Sequence, residues 1–186
     1  ILRQFASSGR PTGVETRAEA ERLGLEPHSA LATLAHEDLV HADSRGEITA
    51  AYPFSGNMTD HVVRFDGHRE VYAMCAIDAL GIAPMFEEPI EIVSRDPLSG
   101  DRIEVALGPD GAGRWHPDGA VVVCGASGRG DACCSCCPVL NFFASPENGD
   151  RWLAAQPDVR GYVMPMRDAI EAGRTIFGNV LTGYRA

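Results

Sequence analysis

Lysine is absent from this chain of 186 residues: its 16 basic side chains are all arginine, set against 26 acids, for a formal net charge of −10. Such a balance offers no basic face for phosphates, so neither nucleic acid nor an anionic membrane surface is an expected partner. Long apolar runs are missing too. No stretch approaches the ~20 residues that cross a bilayer, so no membrane segment is expected. The opening ILRQFASSGR has neither the apolar core nor the cleavage pattern of a secretory signal, and a cytoplasmic location is the resulting expectation. Internal repeats and low-complexity tracts are lacking as well. What is present is a globular composition, 45% hydrophobic and 23% charged, in a length that suits one domain or two small ones.

Patterning predicts an α+β fold with two parts: a helical front module over 1–60, and a mostly antiparallel sheet with flanking helices over 61–186. GVETRAEAERLGL has helical spacing and ends near Gly24. EPHSALATLAHEDLV starts a second helix at Pro27, with Ala30, Leu31, Leu34 and Leu39 on one face. A turn at Ser44–Gly46 then leads into a strand. Helix, turn, helix, strand is the outline of a winged-helix module. Residues 1–50 hold five arginines against eight acids, the wrong sign for reading DNA, so a packing module is preferred over a DNA-binding metal sensor. Further on, HVVRF alternates like a strand before a turn at Asp66-Gly67. EVYAMCAIDALG, residues 70–81, is apolar nearly all round and reads as one buried helix stopped at Gly81. EIVSRDPLSGDRIEVAL predicts a hairpin, AVVVCG a buried strand, and Ser145-Pro146-Glu147 the start of a helix. GYVMPM follows as a strand and RDAIEAGRTIFGNVL as a closing helix.

Six cysteines occur: Cys75, Cys124, Cys133, Cys134, Cys136 and Cys137. In a reducing compartment such clustering favours metal or redox roles over disulfides. Five adjoining residues hardly supply a tetrahedral zinc site by themselves. A dithiol redox centre needs one C-x-x-C rather than two overlapping ones. Soft ions such as Hg(II) or Cu(I) accept two or three thiolates. Cys124, within an apolar strand, reads as a core residue. Cys75 and Asp78 are three apart, so on a helix they share a face. An aspartate in such apolar surroundings must find a partner, bind a cation or stay protonated; desolvation raises its pKa, which suits a proton donor. The six histidines are scattered without ligand spacing and read as surface or packing residues.

Taken together, VYAMCAIDAL at 71–80 and the cysteine ahead of NFFAS at 141–145 resemble the organomercurial lyase (alkylmercury lyase) family, and RWLAAQPDVRGYVMPMRDAIEAG continues in register with it. The resemblance covers roughly residues 10–180. It implies an α+β fold with a winged-helix-like front part and an enzyme that cleaves a carbon–mercury bond by protonolysis, with no organic cofactor and Hg(II) as bound product. Cys75 and Cys137 would be the mercury-binding thiolates, with Asp78 as the proton donor; a one-residue shift would put Cys136 in place of Cys137. Cys133 and Cys134 have no counterpart in the family; as surplus thiols they and Cys136 would be further soft-metal ligands, able to pass Hg(II) to low-molecular-weight thiols or a mercuric reductase. The sequence departs from the family where Pro138 and Val139 follow Cys137 instead of histidine, and where a hairpin cysteine of the family falls near Asp96. The alternative is a Cu(I), Hg(II) or Zn(II) binding or delivery protein on the same scaffold without lyase activity.

Overall fold

The computed structural model describes residues 1–65, 69–128 and 132–181, without the side chains of Cys133 and Cys134. Three helices open the chain, α1 (Leu2–Ser8), α2 (Gly13–Arg22) and α3 (Pro27–His36). Thr12 starts α2 with a capping box: its hydroxyl accepts from the Glu15 N–H while the Glu15 carboxylate accepts from the Thr12 N–H. The Glu26 carboxylate does the same work for α3, taking the N–H groups of His28 and Ser29 ahead of which Pro27 has no N–H to give. The face expected to be apolar on α3 is only half-covered; none of its ten residues is fully buried.

Eight strands then form one antiparallel sheet: β1 (Val40–Ala42), β2 (Ile48–Ala51), β3 (Phe54–Ser55), β4 (Val62–Phe65), β5 (Glu70–Ala73), β6 (Ile90–Arg95), β7 (Arg102–Leu107) and β8 (Gly113–His116). Their order is β1-β2-β3-β5-β4-β6-β7-β8. Alternation decides which side faces inward: Val63, Phe65, Val71, Ala73, Ile90, Ile92, Ile103, Val105 and Leu107 are buried, whereas Arg64, Glu91 and Glu104 face outward. A second antiparallel sheet, β10-β9-β11, joins β9 (Val121–Ser127), β10 (Asn141–Phe143) and β11 (Val159–Pro165). The remaining helices are α4 (Ala76–Phe86), α5 (Ala132–Ser135), α6 (Pro146–Ala154) and α7 (Met166–Phe177). The α+β expectation holds, as does the 91–107 hairpin; β8 was not anticipated. The turn expected at Asp66-Gly67 lies outside the described residues. Among those residues no helix is long and apolar enough to cross a membrane.

One expectation fails in a way that matters for the site. Residues 70–81 are not one helix. Glu70–Ala73 is strand β5, and α4 begins only after Cys75 and runs on through Gly81 and Pro84 to Phe86. Val71 and Ala73 pair inward beside Val63 and Phe54, so period-2 burial wins at the front of the segment. At its back, burial outweighs the stop signals. Every residue from Ala76 to Met85 is buried, and Gly81 marks a close approach of α7 rather than a terminus: a Cβ there would run into the Phe177 ring, and one on Gly173 would lie 2.9 Å from the Gly81 nitrogen. A proline inside a helix costs about 3 kcal/mol, an amount that burying a few aliphatic side chains at roughly 1.5–3 kcal/mol each offsets.

Candidate active site

The strand-to-helix junction sets the first two groups. Cys75 is the N-cap of α4, in extended conformation, and its Sγ accepts the Asp78 N–H at 3.4 Å. An N-cap normally presents Ser, Thr, Asp or Asn; here a thiol takes that place. Cys75 and Asp78 are held on one side of the first turn by this local geometry, so the three-residue spacing keeps its meaning although Cys75 lies just outside the helix.

The third group arrives from far along the chain. Cys137 sits in a turn after α5, where the Cys136 and Cys137 N–H groups both donate to the Ala132 carbonyl at 2.9 Å. The Asn141 side-chain amide donates to the Pro138 carbonyl at 2.8 Å. Downstream, β10 pairs with β9. The Ala76 N–H, one of the donors that a helix N-terminus leaves without an internal partner, donates to the Leu140 carbonyl at 2.9 Å. That single bond ties the residue after Cys75 to the segment after Cys137. On the far side of the loop, the Ala132 N–H donates to the Asp38 carboxylate at 2.8 Å, which fastens α5 to the corner between α3 and β1.

The result is a buried cluster. Cys75 Sγ, a carboxylate oxygen of Asp78 and Cys137 Sγ all lie within 4.8 Å of one another. The three residues are 2%, 5% and 8% exposed. The Cys137 thiol points at Asp78 Oδ2, 3.9 Å away. With metal–thiolate bonds on the order of 2.3 Å, two sulfurs this close can share one ion. Burial, helped by the neighbouring Cys137 thiol and the Asp78 charge, pushes the Cys75 thiol well above its usual pKa. Burial likewise raises Asp78 to about 7, against the opposing hydrogen bonds from the two cysteines. A carboxyl poised near neutrality can take up a proton and hand it on.

A sequence profile described as alkylmercury lyase matches residues 54–178. The chain belongs to the alkylmercury lyase family. It is 31% identical to an alkylmercury lyase of Streptomyces lividans, across 98% of this chain and 82% of the relative. It is 28% identical to an alkylmercury lyase of Staphylococcus epidermidis, across 93% of this chain and 78% of the relative. In three dimensions it resembles the structure described as the mercury-bound form of MerB2, with a TM-score of 0.78 over 98% of this chain and 90% of that one, at 21% identity. The family resemblance and the fold class read from the sequence are thereby met. Mercury is the metal that this neighbour names; none of these relatives points to copper or zinc.

The other cysteines separate. Cys136 is half-buried and turned toward Ser135, its Sγ 3.6 Å from that hydroxyl, so the turn brings Cys137 rather than Cys136 to Cys75 and Asp78. Cys133 and Cys134 lie in α5, and their side chains are outside the description. Cys124 is a core residue on β9, its thiol 3.8 Å from the Met164 sulfur. Three polar residues have contacts that their sequence context does not announce: His61, read with the other histidines as a surface or packing residue and here 3% exposed, Asn141, and Asp96. Asp96 is 1% exposed and accepts four N–H bonds, from Leu98 and Ser99 in its own hairpin and from Ala144 and the Asn148 side chain just past β10. Burial opposes its charge, but those four bonds hold its pKa below the usual carboxyl value. The run Asp-Pro-Leu-Ser-Gly signals the local half of this arrangement; nothing in it signals the distant half.

Proposed function

We propose that this chain cleaves carbon–mercury bonds by protonolysis, with Cys75 and Cys137 as the mercury-binding thiolates and Asp78 as the proton donor. The observation that carries the reading is the buried Cys–Asp–Cys cluster within 4.8 Å. An organomercury cation RHg⁺ binds the Cys75 sulfur, and the displaced thiol proton passes to the Asp78 carboxylate beside it. Cys137 gives its proton to solvent and adds to mercury as a second thiolate. Two soft donors push electron density onto the metal and make the bonded carbon more basic. The carbon–mercury bond then breaks, its electron pair takes the Asp78 proton, and the hydrocarbon RH leaves. Hg(II) remains on the two thiolates with the Asp78 carboxylate as a neighbouring oxygen donor. Exchange onto the loop thiols Cys136, Cys133 and Cys134, and from them to a low-molecular-weight thiol or a mercuric reductase, would clear the site. All three reacting residues belong to the 61–186 part; the 1–60 module supports it from the side of Asp38.

The test is benzene release from phenylmercury by the reduced protein. Wild type should release benzene and retain Hg(II); Asp78→Asn should bind mercury and release little. Binding by wild type with no benzene would instead assign the scaffold to metal sequestration.

A further inference from the structure

Asp38 takes no part in the chemistry just described, yet two hydrogen bonds connect it to the backbone of Cys137. Its Oδ2 accepts the Ala132 N–H at 2.8 Å, and the Ala132 carbonyl accepts the N–H groups of Cys136 and Cys137, each at 2.9 Å. Ala132 opens α5, so its N–H has no acceptor within that helical turn. A carboxylate from 94 positions earlier supplies one. The other oxygen, Oδ1, is closed off from solvent, with His41 Nε2 2.9 Å away. Tyr52 backs that histidine, its hydroxyl 3.4 Å from the same nitrogen and its ring edge-on to the imidazole. The carbonyl of the next residue, Pro53, accepts the N–H of Met74, which precedes Cys75. One corner of the first sixty residues thus touches the backbone beside both thiols.

The backbone at Asp38 is an independent observation. Its φ is +56°. Its N–H donates to the Ala35 carbonyl at 3.2 Å, and the Leu39 N–H donates to the Leu34 carbonyl at 2.9 Å. That pair of bonds is the Schellman stop of α3, whose left-handed position is usually glycine. A side chain there carries a steric cost that glycine lacks. The helix end gains nothing from this one, because the macrodipole disfavours negative charge at a C-terminus. A non-glycine residue held left-handed persists where the surroundings require it, and the bond to Ala132 is the use to which this carboxylate is put.

We propose that Asp38 is a positioning residue for the second thiol: by holding the Ala132 N–H it fixes the turn whose carbonyl holds Cys137 opposite Cys75 and Asp78. The inference rests on the lyase reading, because it is that reaction which needs both sulfurs on one mercury. A misplacement of about 1 Å at a reacting group can cost roughly 10²-fold in rate.

The experiment compares Asp38→Gly and Asp38→Asn with wild type in the full chain. Both replacements accept a positive φ, so neither disturbs the end of α3. Glycine removes the acceptor, whereas the asparagine amide oxygen keeps it. The measurements are kcat and KM for benzene release from phenylmercury, thermal unfolding, and hydrogen exchange of the Ala132, Cys136, Cys137 and Asp78 amides by NMR. Asp38→Gly should lose about tenfold or more in kcat with KM little changed, while Asp38→Asn stays within about threefold of wild-type kcat. In Asp38→Gly the Ala132, Cys136 and Cys137 amides should exchange faster, with the Asp78 amide unchanged and the unfolding temperature within a few degrees of wild type. Asp38→Asn should keep those amides protected. Wild-type kcat and amide protection in Asp38→Gly, a loss in Asp38→Asn as large as in Asp38→Gly, or losses that merely follow unfolding temperature would overturn the proposal. If wild type itself releases no benzene, the lyase reading fails, and the amide exchange still decides whether Asp38 holds the Cys137 turn.

Discussion

Two segments bring sulfur to the same buried point by opposite means. Cys75 is placed locally: an extended residue at the end of β5, its Sγ taking an N–H three residues on. Nothing beyond the first turn of α4 is needed to put it beside Asp78. Cys137 is placed from a distance, 59 residues from the aspartate it faces. It depends on the Leu140–Ala76 bond, on the Asn141–Pro138 bond and on the Asp96 carboxylate that fastens the far end of β10. The lesson is that one half of the site is as stable as a helix end, while the other is only as well placed as several separate long-range contacts allow.

The comparison is broken most severely by removing either sulfur. Cys75→Ser and Cys137→Ser should each lower benzene release from phenylmercury by at least about 10³-fold, because serine oxygen is a hard donor with little hold on mercury. The two should be nearly equal in turnover; a Cys137→Ser protein with substantial benzene release would make the distant half dispensable. Next, Asp78→Asn should cut kcat by about 10²–10⁴-fold while Hg(II) still titrates at one equivalent, and a parallel loss of Hg(II) binding would contradict the assignment of Asp78 as donor.

The aspartate also makes a stability prediction with a definite sign. Its folded pKa of about 7 lies above the ordinary ~3.9, so the folded chain holds a proton that the unfolded chain releases. That contribution is complete below about pH 4 and is lost as pH climbs to about 7, up to roughly 4 kcal/mol in all. Asp78→Asn stays neutral throughout. Thermal unfolding of the metal-free proteins should therefore show the variant more stable than wild type at pH 8, with the gap closing toward pH 4; a gap independent of pH would contradict it.

Smaller effects sharpen the contrast between local and distant placement. Asp96→Ala leaves four part-buried N–H donors without their acceptor and should cost about 2–4 kcal/mol in urea unfolding. It should also lower kcat while leaving the Cys75–Asp78 half intact, which modification of Cys75 by a small alkylating agent at an unchanged rate would confirm. Cys136→Ser should change turnover by less than about twofold, since that sulfur faces Ser135 rather than the cluster; a loss as large as that of Cys137→Ser would move the second thiol by one residue.

Much of this was legible in the sequence because it is written in spacing. The Cys75–Asp78 interval survives a shift of the helix boundary, since an N-cap and the third helical residue still meet. The 91–107 hairpin followed from alternation around Asp-Pro-Leu-Ser-Gly, and the α6 start from Ser145 before Pro146. The helix boundary at 70–81 was misread because Val71 to Ala73 are apolar at a period that a strand and a buried helix share, and because stop signals at Gly81 and Pro84 lose to complete burial. Asp96, His61 and Asn141 were not legible as partners at all. Asp96 takes its meaning from Ala144 and Asn148, 48 and 52 positions away, and the His61 ring meets Ser94 and Phe142, 33 and 81 positions away.

What the sequence by itself determined is the identity and local pairing of the chemical groups: a thiol and a carboxyl three residues apart at the mouth of an apolar helix, thiols clustered in a later loop, and an acidic surface without lysine. Those follow from residue type and short-range geometry, which the chain cannot avoid. Only the tertiary structure decided which loop thiol reaches the helix, how deeply the three groups are buried, and hence that Asp78 titrates near neutrality. Burial and long-range hydrogen bonds are properties of the packed whole, and they are what convert an ordinary carboxyl and ordinary thiols into a site that can hold a soft ion and move a proton.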